Sequence, residues 1–159
     1  MRTAEFQRAT AQFVKYAISG GVATGVHLAV FYAMALWVLP ALAADDPALR
    51  LLGLGSPAAV GDAIRARRAA IDTTVAFLIS NLVAYLMNII WVFQRGRHSW
   101  AVEIGMFYLV SGISLLIGTV LQTALILQGG VSTTWAFGAN VVVSLAINFA
   151  VRKFWIFKG

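Results

Sequence analysis

The sequence has little charge and no cysteine. Only 11% of its 159 residues are charged, whereas 60% are hydrophobic, and a typical soluble domain carries about 25% charged residues. A soluble chain of this length could not hide so much apolar surface in one small core, because its surface is large relative to its volume. The absence of cysteine excludes disulfides, thiolate metal sites and cysteine nucleophiles. The low content of charged residues and the high content of hydrophobic residues predict an integral membrane protein.

Acidic residues are also scarce, with six Asp and Glu in total. The chain has no spaced carboxylate pair, no nucleophile–base set and no constellation of metal ligands. We therefore expect no catalytic residues, no bound metal and no cofactor, and we predict that the protein is not an enzyme. A nucleic-acid partner is not expected either.

Four runs free of Asp, Glu, Lys and Arg are long enough to cross a bilayer. A helix needs roughly 20 residues to span about 30 Å of hydrocarbon, and none of the runs alternates as barrel strands do. The predicted fold is all-α, a single transmembrane domain over residues 1–159 with an external loop at 40–71. The predicted spans are residues 16–39, 73–93, 104–127 and 134–151.

The placement of cations predicts the orientation of these spans. Lys and Arg are more numerous in the termini and between spans two and three than in the 40–71 loop. Because short cytoplasmic segments carry the excess of positive charge, both termini should be cytoplasmic. Trp37 and Trp135 would then mark the outer interface, and Trp91 and Trp155 the inner one.

The two halves of the chain begin and end with similar sequence motifs. Tyr16-Ala-Ile-Ser-Gly20 in the first span is similar to Tyr108-Leu-Val-Ser-Gly112 in the third. The second span ends Asn88-Ile-Ile-Trp-Val-Phe93, and the fourth continues from Asn148 to an aromatic segment ending at Phe157. Each half is a hairpin with the same direction, so we predict two parallel repeats related by a pseudo-twofold axis along the membrane normal.

These motifs resemble the GtrA-like family, four-helix membrane proteins of bacterial and archaeal cell-surface polysaccharide and glycoconjugate synthesis. The resemblance covers nearly the whole chain, from Phe13 to Phe157. It implies a multi-pass protein of the plasma (inner) membrane that handles a polyprenyl-phosphate-linked sugar. Family members are thought to move such a lipid across the membrane or to assist the glycosyltransferase that makes it. This chain carries no catalytic domain, so the resemblance implies a transferase on a separate polypeptide.

Each predicted span carries one polar or small face. Asn140, Ser144, Asn148 and Arg152 recur every four residues in the fourth span. Polar groups are costly in hydrocarbon, so they either line a path for a polar cargo or hydrogen-bond between helices. The candidates for the polar lining are Asn81, Asn140, Ser144, Gln122 and His27. His27 could couple proton movement or bind a phosphate, or it could be a neutral imidazole bonded to a neighbouring helix.

Cations near the predicted cytoplasmic surface are candidates for binding the lipid phosphate. Guanidinium groups suit a phosphate geometrically, although such cations also set topology and attract anionic lipids. The candidate phosphate or substrate residues are Arg152, Arg95, Asn148, Asn88, Lys153 and Lys15. Arg152 is the strongest of these because it continues the polar face of the fourth span.

The external loop contains a short cluster of arginines. Arg65, Arg67 and Arg68 are read as a solvated face paired with Asp62 and Asp72, or as a place that receives a phosphate outside. The pair Gly21 and Gly25 is read as a helix-packing motif.

Three functions compete. The first is translocation of the lipid-linked sugar, and the second is a non-catalytic subunit that binds the lipid carrier and docks a glycosyltransferase. A proton-coupled multidrug exporter is disfavoured because no carboxylate lies in the predicted spans. The expected partners are the polyprenyl lipid, bulk membrane lipids and a second copy of the chain, since four helices alone could be too few to enclose a sugar path.

Overall fold

The computed structural model describes residues 2–55, 60–92 and 100–151, and no strand occurs among them. The all-α prediction is confirmed. Two of the helices, α1 and α3, continue into a π-helical turn, at Met34–Val38 and Asn88–Val92 respectively. The helices are α1 at Arg2–Ala33, α2 at Pro47–Leu52, α3 at Asp62–Met87, α4 at Trp100–Gly129 and α5 at Thr133–Val151.

Three of the described helical stretches are long and apolar enough to cross a membrane. They are Ala17–Val38, Asp62–Trp91 and Phe107–Gly129, and Thr133–Ile147 in α5 is a shorter apolar stretch. Large apolar side chains such as Leu109 and Leu116 point outward, while Gln122 and Asn140 are buried. Apolar groups outside and polar groups inside are what a lipid surrounding requires, since polar groups must be satisfied within the protein.

The long helices pack in chain order. α1 lies along α3, α3 along α4, and α4 along α5. We call the end of the bundle that holds residues 39–55, residues 60–61 and the α4–α5 turn the loop end, and the opposite end the terminal end. At the loop end α1 also meets α5, where the rings of Phe31 and Phe137 stack with centroids 3.6 Å apart. Among the described residues, α1 and α5 are otherwise not an extensively packed helix pair.

Glycine allows the close approach of α4 to α5. A Cβ added at Gly118 would lie 2.7 Å from Ser144 Oγ and 2.9 Å from Asn140 Cγ. Gly21 and Gly25 behave differently, because both are exposed and a Cβ there would meet nothing within 4 Å. Within the chain the expected packing role of this glycine pair is therefore wrong.

The described residues 40–55 of the predicted external loop form a cap on the loop end. Asp46 is fully buried and caps α2 by accepting from Ala48 N at 3.0 Å. The same carboxylate accepts from the backbone N of Thr134 at 3.0 Å and from the Thr134 hydroxyl. Tyr32 of α1 donates to that hydroxyl at 3.2 Å. One carboxylate thus joins the cap to α5, and through Thr134 to α1.

The prediction of a solvated arginine face is wrong for Arg65, which is buried, while the exposure of Arg67 and the pairing of Arg65 with Asp62 are as predicted. The Arg65 side chain is only 5% exposed and pairs with Asp62 at 2.8 Å. Its other nitrogen donates to Val131 O at 2.8 Å and to Thr133 Oγ1 at 3.3 Å. Arg68 donates to the carbonyl of Pro40 at 2.9 Å. Arg65 thus connects α3 to the α4–α5 turn, and Arg68 connects α3 to the segment after α1. A hydrogen bond from a charged donor to a carbonyl oxygen is stronger than one from a neutral donor.

Asp72 also departs from its expected place. α3 begins at Asp62, upstream of the predicted span, so the helical stretch long enough to cross a membrane includes Asp72. Asp72 is fully buried, and neither carboxylate oxygen has a hydrogen-bond partner among the described residues. The expectation that no carboxylate lies in a span is wrong for this helix. Sequence reading placed the boundary too late because the three arginines resemble the end of a solvated segment.

Candidate functional site

A polar cavity of about 180 Å³ lies between α1, α3, α4 and α5. It runs from His27 and Asn140, near the middle of the bundle, to Asn88 and Ser111 towards the terminal end. Its polar lining consists of serines, one threonine, three asparagines and His27, and no Lys, Arg, Asp or Glu lines it among the described residues. The cavity can therefore hydrogen-bond a ligand without offering it a counter-charge.

The predicted inward faces converge on this cavity. Asn81, Asn140, Ser144 and His27, all predicted as polar lining, border it, and so does Asn88, predicted as a substrate residue. Gln122 does not line the cavity but is fully buried beside it. Side chains that lie on four separate helices in the sequence thus share one space.

Three of these residues form a hydrogen-bond network, in which Gln122 Nε2 has no partner among the described residues. Gln122 Oε1 accepts from Thr73 Oγ1 at 2.9 Å and from Asn140 Nδ2 at 2.8 Å. Ser144 Oγ lies 3.2 Å from Asn140 Oδ1 and 3.1 Å from the carbonyl oxygen of Ser114. The network joins α3, α4 and α5 and closes the cavity towards the loop end. These residues therefore hydrogen-bond between helices, which was one of the two roles that the sequence allowed for them.

His27 makes a hydrogen bond to a neighbouring helix, as expected from the second of its two interpretations, a neutral imidazole bonded between helices. Its Nδ1 lies 3.1 Å from Ser80 Oγ, and Ser80 Oγ lies 3.2 Å from the carbonyl of Phe77. If the Ser80 hydroxyl donates to that carbonyl, Nδ1 carries a hydrogen and donates to Ser80. The imidazole also stacks on Phe137, with ring centroids 5.5 Å apart and an interplanar angle of 3°.

Other polar atoms at the cavity wall lack a partner. These are Ser19 Oγ, Asn81 Nδ2, Asn88 Oδ1 and Ser114 Oγ, which find no hydrogen bond within the described protein. The four residues are 1%, 8%, 9% and 1% exposed. A buried polar group left unpaired costs about 1–3 kcal/mol, so such groups in a native structure call for an explanation. Because they surround a cavity, a polar ligand within it can supply the missing bonds.

Sequence reasoning did not nominate Ser19, Ser111 or Ser80 as site residues, although they line the cavity. A signal for two of them was present. Ser19 and Ser111 occupy the same place in the two similar segments, Tyr16–Gly20 and Tyr108–Gly112. Ser80 carried no such signal, because an isolated serine in an apolar helix commonly bonds to its own backbone.

Lys15 is the one predicted phosphate-binding cation within the described residues. Its Nζ lies 5.8 Å from the centroid of the Trp91 ring, at the terminal end, a geometry in which a cation is attracted to the aromatic face. Lys15 precedes the cavity residue Ser19 by one helical turn. Arg95, Arg152 and Lys153 lie outside the described residues, as does the side chain of Asn148.

Apolar helices around an uncharged polar cavity are typical of a multi-pass membrane protein with a polar interior. The chain belongs to the GtrA/DPMS transmembrane-domain family, whose sequence model matches residues 66–157. This confirms the GtrA-like resemblance, and the matched region contains most of α3 and all of α4 and α5. Comparisons with curated proteins and with solved structures found no match.

Proposed function

We propose that this protein translocates a polyprenyl-phosphate-linked sugar across a bacterial or archaeal plasma membrane and catalyses no chemical step. The observation that carries the proposal is the uncharged polar cavity, whose wall holds buried hydrogen-bonding groups without partners. A sugar crossing hydrocarbon needs such groups, because each unpaired hydroxyl would otherwise lose its bonds to water. Membership of the GtrA/DPMS transmembrane-domain family supports this role.

The proposal includes four spans, arranged as two parallel repeats with both termini in the cytoplasm. In this orientation the terminal end of the cavity faces the cytoplasmic leaflet. Lys15 and the predicted cations Arg95, Arg152 and Lys153 then lie where a lipid phosphate would arrive. The prenyl chain stays in the bilayer and reaches the cavity between α1 and α5, which lack extensive packing against each other.

In this arrangement the loop end is closed on the opposite leaflet. The stacked rings of Phe31 and Phe137 and the bonds of Asp46 to Thr134 lie between the cavity and the outer surface. Release of the sugar outside requires these contacts to separate. In the proposed cycle, this arrangement would be the state accessible from the cytoplasmic leaflet.

Reconstitution of the purified protein tests the proposal directly. Liposomes would contain the protein and a labelled polyprenyl-phosphate-glucose, and impermeant periodate would oxidise only the sugar exposed on the outer leaflet. We expect the protein to make all of the label accessible at a rate well above that of protein-free liposomes. A phosphatidylcholine probe in the same vesicles should not exchange, which controls for leakage.

The competing function is a non-catalytic subunit that docks a separate glycosyltransferase. Lipid binding without leaflet exchange by the isolated protein would favour this alternative. A partner transferase that co-purifies with the protein, and whose product forms only when both are present, would then support it. A homo-oligomer is compatible with either function.

A further inference from the structure

We infer that Asp72 binds a proton while the loop end is closed, and that the loop end opens when this proton is released to water on the loop side. The inference rests on the proposed function, since it concerns the opening that release of the sugar requires. It follows from three properties of Asp72: its burial without a hydrogen-bond partner, its apolar neighbours and its depth in the bundle.

The carboxyl group of Asp72 is buried without a partner. The residue is 0% exposed, and neither of its oxygens has a hydrogen bond among the described residues. An ionised carboxylate in this place would lose its hydration and gain no bond in return, which is strongly disfavoured. The closed arrangement therefore suits the neutral acid and not the anion.

Asp46 shows the donors that a buried carboxylate can have at the same end of the bundle. It is equally buried, but it accepts from the backbone nitrogens of Ala48 and Thr134 at 3.0 Å each, and from the Thr134 hydroxyl. Of these two buried carboxyl groups, Asp72 is the one that lacks the donors able to stabilise a negative charge.

The neighbours of Asp72 on its own face of α3 are apolar. Ala69 and Ala76 lie one turn before it and one turn after it, and both are fully buried. They belong to the hydrophobic cluster that also contains Phe31 and Phe137, whose stacked rings help to close the loop end. Asp72 therefore lies within the packing that must separate when the loop end opens.

The charged and titratable groups around the loop end are engaged elsewhere or exposed. Residues 109–147, which form most of α4 and α5, include none. The others at this end are Asp62, Arg65, Arg67 and Arg68 of α3, Tyr32 of α1, and Asp45, Asp46 and Arg50 of the cap.

Each of the buried or half-buried groups in this set has another partner. Arg65 pairs with Asp62, Tyr32 and Asp46 bond to Thr134, and Arg68 donates to the carbonyl of Pro40. Asp45, Arg50 and Arg67 are exposed. No described cation lies within ion-pair distance of Asp72.

The depth of Asp72 determines the side from which its proton comes. Asp72 precedes Trp91, expected at the inner interface, by about five helical turns, or about 28 Å. Because the hydrocarbon is about 30 Å thick, Asp72 lies near its outer boundary in the proposed orientation. Two turns closer to the loop end, Arg65 bonds to Val131 O and Thr133. Separation of these bonds would bring water to Asp72 from the loop side.

Proton binding and opening of the loop end are then linked equilibria. The closed state holds the neutral acid, and the open state exposes the carboxyl group to water, where the anion is stable. One proton is released for each opening, so a rise of one pH unit on the loop side should favour the open state by up to about tenfold. An acidic exterior would keep the loop end closed.

Infrared spectroscopy of the protein in nanodiscs tests the bound proton without reference to transport. A protonated carboxyl group has a carbonyl stretch that is separate from the bands of a carboxylate. We expect the wild type at neutral pH to show this band and Asp72→Asn to lose it. Asp45→Asn changes an exposed carboxylate of the cap and should keep the band. The same band in the wild type and in Asp72→Asn would overturn the inference.

Thermal unfolding against pH separates a proton site from a structural anion. Asparagine has the size of the neutral acid, so Asp72→Asn should match the wild type at mildly acidic pH and exceed its stability at alkaline pH, where folding of the wild type must take up a proton. Asp46→Asn, at the other buried carboxyl, loses bonds to Ala48 and Thr134 and should be destabilised at both. Destabilisation of Asp72→Asn at both pH values would contradict the inference.

Cysteine labelling measures the link to opening. Ala136→Cys places a thiol at a fully buried position of the same hydrophobic cluster, where an impermeant reagent on the loop side can reach it only after opening. Thiol reactivity itself rises with pH, so the labelling rate would be divided by that of the same cysteine in Asp72→Asn. We expect this ratio to rise by up to about tenfold per pH unit. A ratio independent of pH would overturn the link.

The inference and the proposed function can fail separately. An Asp72 proton with pH-dependent labelling, but no leaflet exchange of the lipid-linked sugar in liposomes, would leave the proton site standing and overturn translocation. Leaflet exchange in a protein without the Asp72 band would overturn the proton site alone.

Discussion

Buried amide atoms in this protein occupy two different environments. Gln122 Oε1 accepts from Thr73 and Asn140, whereas Gln122 Nε2 and, at the cavity wall, Asn81 Nδ2 have no partner among the described residues. The two kinds of atom respond differently to substitution. Removing a bonded atom leaves its partners unpaired and lowers stability, while removing an unpaired atom relieves a cost.

Gln122→Leu should destabilise the protein, because it leaves two donors to Oε1 without their acceptor and removes only one unpaired atom, Nε2. The change leaves the Thr73 hydroxyl and the Asn140 amide without their shared acceptor, and we expect a loss of about 1–3 kcal/mol in the free energy of unfolding. Gln128→Leu is the control, because Gln128 is exposed near the end of the same helix. Thermal unfolding in one detergent would measure both, and equal stability of the two variants would show that the network contributes nothing.

At the scale of helices, α4 and α5 approach closely because of one glycine. Gly118→Ala places a methyl group within 3 Å of Ser144 Oγ, so the helices must separate or the Asn140 network must rearrange. Overpacking of this kind costs about 1–3 kcal/mol. Gly112→Ala in the same helix meets nothing within 4 Å and should be neutral or stabilising by up to about 1 kcal/mol. Denaturation of the two variants in the same detergent would distinguish a tight helix crossing from a general effect of alanine.

Arg65 fixes the α4–α5 turn to the start of α3. Arg65→Met removes its bonds to Val131 O and Thr133 Oγ1 and should cost about 2–3 kcal/mol, since hydrogen bonds from charged donors are among the stronger ones. Arg67→Met, two residues away and exposed, should change stability by less than about 0.5 kcal/mol.

The same pair of variants tests the alternative that these arginines receive a phosphate. If they do, Arg67→Met should reduce transport with little change in unfolding temperature. If Arg65 is structural, Arg65→Met should lower the unfolding temperature, and transport should fall only in proportion to the loss of folded protein.

At the scale of the whole molecule, the cavity has two unlike ends. The loop end is closed by the Phe31–Phe137 stack and the Asp46–Thr134 bonds, while the cavity extends to Asn88 and Ser111 at the terminal end. Such an arrangement is expected of a path that opens to one leaflet at a time, with two alternative closures around one site.

The absence of native cysteine allows this asymmetry to be tested without background labelling. Ser111→Cys, at the cavity wall, should react with an impermeant thiol reagent supplied from the side of the termini and not from the loop side. Ala76→Cys is the control, because Ala76 is fully buried in α3 and should react from neither side. Labelling of Ser111→Cys from the loop side would contradict the proposed orientation or the closure of that end.

The sequence predicted which faces of the helices turn inward, but not how they meet. Asn140 and Ser144 are four residues apart and so lie on one side of a helix, and both border the cavity as expected. That Gln122 Oε1 would be bonded and Asn81 Nδ2 would not could not be foreseen, because hydrogen bonding depends on the helix that lies opposite. Gly21 and Gly25 show the same limitation, since their spacing suits close packing but they face outward.

Composition and helical periodicity, both local properties of the chain, were sufficient to determine that the protein is all-α, lies in a membrane and turns Asn81, Gln122 and Asn140 inward. The family followed from short motifs at the helix ends. Only the tertiary structure decided that Arg65 is buried and bonded to the α4–α5 turn, and that Asp72 lies inside a long helix. It also decided that two serines and two asparagines at the wall of an uncharged cavity each have a buried polar atom without a partner among the described residues. The physical reason is that burial and hydrogen-bond satisfaction are properties of pairs of surfaces, and residues far apart in the sequence supply the second surface.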